Sequence, residues 1–212
     1  MRPLPVRAVL FDCDGVLADS EGLANRIVAE ELTALGWPMD THGAQREFLG
    51  MALPDMQVRI EARLGSLPQG WAQALGKRIE GEFAHGLQPI PGAEEALRAA
   101  EAAGLPMALC SNSSRGELAM KMRVLGFGSY FEGRIFSFQD VPRPKPAPDI
   151  YLAAASACGL PPGECLVVED SATGAAAGVA AGCRVLGILP GLGVPHVDGM
   201  GQVASYLAGL DG

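Results

Sequence analysis

Apolar residues in this chain fall into short continuous runs and longer stretches of helical spacing. VRAVLF, from Val6 to Phe11, is partly β-branched and stops at acidic residues and Gly15, the pattern of a buried parallel strand, so Asp12 falls at its C-terminal end. From Ser20 to about Leu87 the spacing turns helical, with Leu23, Ile27, Leu32 and Leu35 in one segment and Phe83 closing a later one. Gly36, Pro54, Gly65 and Pro68 divide this stretch into several helices with no clear strand. Beyond Pro91-Gly92 the pattern alternates. A helix near Ala93 to Ala103 leads to a strand PMALC up to Ser111, then a helix from about Gly116 to Leu125. A short strand at Ile135 to Ser137, a helix near Asp149 to Cys158, the strand CLVVED, a helix near Ala172 to Ala181 and the strand RVLGIL follow.

Repeated strand-helix units predict an α/β fold, a doubly wound, Rossmann-like parallel sheet whose ligands bind at the C-terminal ends of the strands. The helical stretch reads as an insertion after the first strand. That makes residues 20–88 a cap and residues 1–19 with 89–212 the core.

Composition narrows the setting. With 212 residues, 49% of them hydrophobic, the chain can bury about 70% of its unfolded surface. No run approaches the roughly 20 apolar residues of a membrane span, and MRPLPVRAVLFDCDG lacks the apolar stretch of an export signal. The five cysteines are odd in number, dispersed and without a C-x-x-C pair. Reduced thiols and a cytoplasmic location are the expectation. A formal charge of -8 without a block of Lys or Arg argues against nucleic acid or an anionic membrane as partner. It leaves room for a small phosphorylated metabolite wherever a cation and a lysine stand in the pocket. Oligomeric state is open between monomer and small homo-oligomer.

Three polar clusters fall at the predicted strand ends. FDCDG places Asp12 and Asp14 two residues apart, so strand alternation sends both carboxylates to one side and Cys13 to the other. One carboxylate can attack phosphorus while the other handles the leaving-group proton; a solvated turn is the competing reading of this pair alone. LCSNSS places Ser111 and Asn112 between a strand and a helix, where a hydroxyl and backbone N–H groups can hold phosphate oxygens, or simply cap the helix. RPKPAPD stiffens the backbone around Lys145, whose point charge suits a phosphoryl group, although a lysine in a stiff loop is commonly exposed. VVEDS ends an apolar strand in Glu169 and Asp170, carboxylates that repel unless a cation such as Mg²⁺ binds them.

In this order, the four motifs resemble those of haloacid dehalogenase superfamily phosphatases with a helical cap, from about Val6 to Leu189. The resemblance implies a Mg²⁺-dependent phosphatase with Asp12 as nucleophile and Asp14 as acid/base, Asp14 also ligating the metal through its carbonyl. Ser111 would bind phosphate, Lys145 would neutralise it and orient Asp12, and Asp12, Asp170 and Glu169 would complete the metal site. The branch containing β-phosphoglucomutase and small-sugar phosphatases, among them 6-phosphogluconate phosphatase, looks most similar. Its mutases carry a cap histidine where this chain has Ala24, which favours net hydrolysis over the alternative, a phosphomutase. Asp14 disfavours dehalogenation, because the dehalogenases lack the second aspartate. Specificity is expected from cap residues, with Glu21, Asn25 and the loop from Gly50 to Leu53, including Met51, as candidates. His42, His85 and His196 show no metal-ligand spacing and read as surface or structural residues.

Overall fold

The computed structural model describes residues 5–48, 51–131 and 133–209. Five short strands form one parallel sheet: β1 (Ala8–Phe11), β2 (Met107–Ser111), β3 (Ile135–Ser137), β4 (Cys165–Glu169) and β5 (Arg184–Gly187), in the spatial order β3-β2-β1-β4-β5. β1, β2 and β4 are buried along their whole length, which is why they read as continuous apolar runs. Val9 of β1 lies opposite Met107 of β2 and Leu166 of β4. Three ends therefore finish side by side at one edge, where the strand order reverses.

Between β1 and the rest of the sheet the chain folds as four helices, α1 (Glu21–Ala34), α2 (Thr41–Phe48), α3 (Leu53–Leu64) and α4 (Trp71–Gly86). Their interior is apolar: Ile27, Leu32, Phe48, Ile60, Leu75 and Phe83 are all buried. The Trp71 indole N–H donates to Glu31 across this unit at 3.1 Å, which satisfies the polar end of an otherwise buried ring.

The sheet is covered by α5 (Ala93–Ala102), α6 (Arg115–Leu125), α7 (Asp149–Ala157), α8 (Ala172–Ala180) and α9 (Met200–Ala208). α6 starts where predicted because Ser114 and Glu117 form a reciprocal cap, Ser114 Oγ accepting from the Glu117 N–H at 3.2 Å and Glu117 Oε2 from the Ser114 N–H at 3.3 Å.

The differences from expectation lie at the ends. β1 begins at Ala8 instead of Val6, β5 stops at Gly187 instead of Leu189, and Ser111 is the last residue of β2 instead of the first beyond it. α9 was not anticipated, although Met200, Val203 and Leu207 are buried at helical spacing. It packs on the start of α5 so closely that a Cβ at Gly92 would stand 2.5 Å from the Gly201 nitrogen, and Gly92 itself has φ +87°. Among the described residues, no helix is long and apolar enough to cross a membrane.

Candidate functional site

Lys145 is the centre of charge at the sheet edge. Its ammonium lies 2.6 Å from Asp12 Oδ1 and 2.6 Å from Glu169 Oε1, and it donates to the Cys110 carbonyl at 2.9 Å. The side chain is only 4% exposed, which sets aside the competing picture of a solvated lysine in a stiff loop. Asn112 explains how the loop is held: its side-chain oxygen accepts from the Lys145 N–H at 3.0 Å and its amide donates to the Lys145 carbonyl at 3.1 Å. Tyr151 of α7 donates its hydroxyl to Glu169 Oε1 at 2.7 Å. Lysine and tyrosine thus occupy one oxygen of Glu169, and the Ser171 hydroxyl donates to the other at 3.0 Å.

Asp14 enters the same cleft, while Cys13 between the two aspartates is fully buried in the core. Its carboxylate accepts from four donors. Ser20 and Lys121 bond Oδ1, the latter at 2.5 Å; Ser111 and Ser113 bond Oδ2 at 3.2 and 2.9 Å. Burial alone pushes Asp14 up, yet the Lys121 ammonium and these hydrogen bonds overcome it and hold the carboxyl below its usual range.

The third cluster is short of positive charge. Asp12, Glu169 and Asp170 bring carboxylate oxygens within 4.8 Å of one another. The Asp170 carboxylate accepts no hydrogen bond from the described residues. Burial, with Asp12 and Glu169 beside it, pushes Asp170 up to about 9; burial outweighs Lys145 at Asp12, which is pushed up to about 7. Gly15 permits this approach, since a Cβ there would stand 1.9 Å from Asp170 Oδ2 and its backbone has φ +72°. Hard oxygen donors gathered around uncompensated negative charge fit a divalent cation of the Mg²⁺ type.

This constellation on this sheet has counterparts. Residues 6–182 match the model of the haloacid dehalogenase-like hydrolases. The chain belongs to that family. It is 31% identical to 6-phosphogluconate phosphatase of Escherichia coli over 182 residues, 85% of this chain and 81% of that one. It is 31% identical to a phosphorylated carbohydrates phosphatase of Thermotoga maritima over 195 residues, 88% of this chain and 87% of that one. Among solved structures, a HAD family hydrolase from Deinococcus radiodurans with bound phosphate and sodium superposes with a TM-score of 0.67 at 37% identity, covering 96% of this chain and 88% of that chain.

In this family member the cleft has two unlike walls around a cavity of about 150 Å³. The sheet edge supplies Asp12, Asp14, Ser111, Asn112, Lys145 and Asp170, so all the predicted core residues but Glu169 line it, and Glu169 stands directly behind. The helices facing it supply Val28, Phe48, Leu53, Met56 and Ile79. Of the predicted specificity residues, Glu21, Asn25 and Met51 line the cleft, and Ala24 does too; Gly50 lies outside the described residues. Glu21 accepts from the Gln45 amide at 2.8 Å, and burial pushes its carboxyl up. His42, His85 and His196 are exposed.

Sequence reasoning missed Lys121 and Glu117. Both lie on the buried face of α6 with Leu118 and Met122, and Lys121, 1% exposed, also stands over the Phe83 ring of α4 at 4.8 Å. A charged pair four residues apart on an apolar helix face was the available signal.

Proposed function

We propose that this hydrolase is a Mg²⁺-dependent phosphatase that cleaves a small phosphate monoester, a sugar or sugar-acid phosphate, through an aspartyl-phosphate on Asp12. The observation that carries the reading is Asp12 itself, a buried carboxylate at the end of the central strand with one oxygen held by Lys145 at 2.6 Å. That contact orients the carboxylate and offsets the charge of an approaching phosphoryl group, which is most of what phosphoryl transfer asks of a protein. The phosphatases among its relatives and the phosphate bound in the Deinococcus radiodurans hydrolase support it.

Asp12 Oδ attacks phosphorus in line, and the bond from phosphorus to the ester oxygen breaks. Ser111 and the backbone N–H groups after β2 hold the phosphoryl oxygens. Asp14 supplies the proton the alcohol needs. The arriving anion raises the proton affinity of Asp14 against the pull of Lys121, and the ester oxygen leaves as the neutral alcohol. Asp14, then a carboxylate, takes a proton from the water that opens the aspartyl-phosphate, which regenerates Asp12 and releases inorganic phosphate. Asp12, Asp170 and Glu169, with the Asp14 carbonyl, would hold Mg²⁺, which supplies charge neutralisation between nucleophile and phosphate. Residues 20–88 act as the cap that excludes bulk water. Ala24 offers no titratable group from the cap, so hydrolysis, and not phosphoryl return to the sugar, is the outcome.

The test is rapid mixing of Asp14→Asn with p-nitrophenyl phosphate and Mg²⁺. A good leaving group needs no proton, whereas opening the intermediate still needs the base. A burst of p-nitrophenolate near one equivalent per site, followed by a slow rate, is expected. A linear trace at wild-type affinity for substrate and metal would overturn the assignment of Asp14 as the second-step base.

A further inference from the structure

We infer that the ester taken by this cleft carries a single anionic group, its phosphoryl, on an uncharged leaving alcohol that presents a C–H face to the cap. The inference rests on the phosphatase reading and narrows it, setting sugar acids, bisphosphates and other doubly anionic esters aside.

Among the described residues lining the cleft, two are cationic, Lys121 and Lys145. Both ammoniums are already engaged between carboxylates: Lys145 stands 2.6 Å from Asp12 and 2.6 Å from Glu169, and Lys121 stands 2.5 Å from Asp14 and 3.5 Å from Glu117. Neither can turn to a second anion without stripping the charge from a buried carboxylate. With the phosphoryl group at Asp12, the remainder of the ester lies against Val28, Phe48, Met51, Leu53, Met56 and Ile79. That wall accepts aliphatic C–H surface and gives nothing to a carboxylate, whose desolvation would go uncompensated. Asn25, Glu21 and Glu117 are among the polar side chains that line the same cleft. Glu21 and Asn25 lie one turn apart on α1, and Glu117 lines the same cleft from α6. These groups suit hydroxyls, with an amide that donates and accepts and carboxylates that accept. To a second anion they present like charge. Glu117 is already paired with Lys121 and Glu21 already accepts from Gln45, so the rim favours a neutral, hydroxyl-bearing group over a cation.

The decisive pair of substrates is glucitol 6-phosphate and 6-phosphogluconate, open chains of the same length that differ in a terminal hydroxymethyl group against a carboxylate. With the full chain and saturating Mg²⁺, kcat/KM for glucitol 6-phosphate should exceed that for 6-phosphogluconate by at least about tenfold, about 1.4 kcal/mol of discrimination. A smaller ratio, or preference for the acid, overturns the inference while leaving the phosphatase reading intact. Absence of phosphate release from both esters and from p-nitrophenyl phosphate would instead overturn the phosphatase reading and this inference with it. Met51→Lys places an ammonium on the apolar wall and should narrow the ratio by raising kcat/KM for the acid; an unchanged or wider ratio would remove the leaving group from that wall.

Discussion

Lys145→Met removes a buried charge, together with the hydrogen bonds its ammonium donates to Asp12, Glu169 and the Cys110 carbonyl, while keeping side-chain length nearly constant. The ammonium is 2.6 Å from each of two carboxylates and only 4% exposed. At an effective dielectric near 20, each contact at that distance is worth about 6 kcal/mol before desolvation is counted. The lysine's own desolvation disappears with it, and breaking a buried pair by removing one partner costs about 3–5 kcal/mol net. In EDTA, the variant should therefore lose about 3–5 kcal/mol of stability, a fall in Tm of roughly 6–20 °C for a chain of this size.

The sign with pH follows from the raised carboxylates. Burial pushes Asp12 and Asp170 up to about 7 and about 9 in the folded metal-free protein, from the usual aspartate value of 3.8. The folded state holds protons there that the unfolded chain has released, so metal-free stability falls as pH rises through this window. Without Lys145 the repulsion is worse when Asp12 is ionised, so the deficit should be larger near pH 8 than near pH 5. Mg²⁺ should raise the variant's Tm by more than it raises that of wild type, because three facing carboxylates then lack the ammonium. Urea and thermal unfolding followed by circular dichroism, with EDTA or Mg²⁺ at both pH values, measure the free-energy and Tm changes. A variant within about 1 kcal/mol of wild type in EDTA near pH 8, with an unchanged response to Mg²⁺, would refute the reasoning.

Asp12→Asn should keep the cooperative unfolding of the parent and lower Mg²⁺-dependent phosphate release from p-nitrophenyl phosphate by at least about 10³-fold; retention of most of the rate in EDTA would refute a nucleophilic Asp12. Lys121→Met frees Asp14 from the ammonium that holds it low, so the pH at which Asp14 becomes competent as a base should rise, read from the acidic limb of aspartyl-phosphate hydrolysis in single-turnover traces. An unmoved limb would mean that Lys121 serves packing under Phe83 alone. With β-glucose 1-phosphate and a priming bisphosphate, glucose 6-phosphate should not form above background, because Ala24 stands at the mutase histidine position; sustained formation, followed by a coupled dehydrogenase assay, would overturn net hydrolysis.

The sheet class, the order of its main elements and the core residues at its edge were legible because each rests on a local signal. Continuous apolar runs mark strands buried on both faces. A two-residue spacing puts Asp12 and Asp14 on one side, and Pro, Gly, Ser and Asp mark the strand ends. Tertiary structure alone decided the charge balance. Lys145 and Asp12 are 133 residues apart in the chain, and Lys121 and Asp14 are 107 apart. The RPKPAPD loop looks the same in sequence whether its lysine is solvated or enclosed. Glu117 and Lys121 are a charged pair four residues apart on one face of α6, and only the packed fold encloses them with Asp14, Ser113 and Phe83. The same holds for Glu21, Asn25 and Met51, whose place in the cleft depends on how four helices pack over the sheet edge. Periodicity states which face of an element is apolar. Which charges are shut in together, and so what a substrate finds there, is set by elements distant in sequence packing against one another.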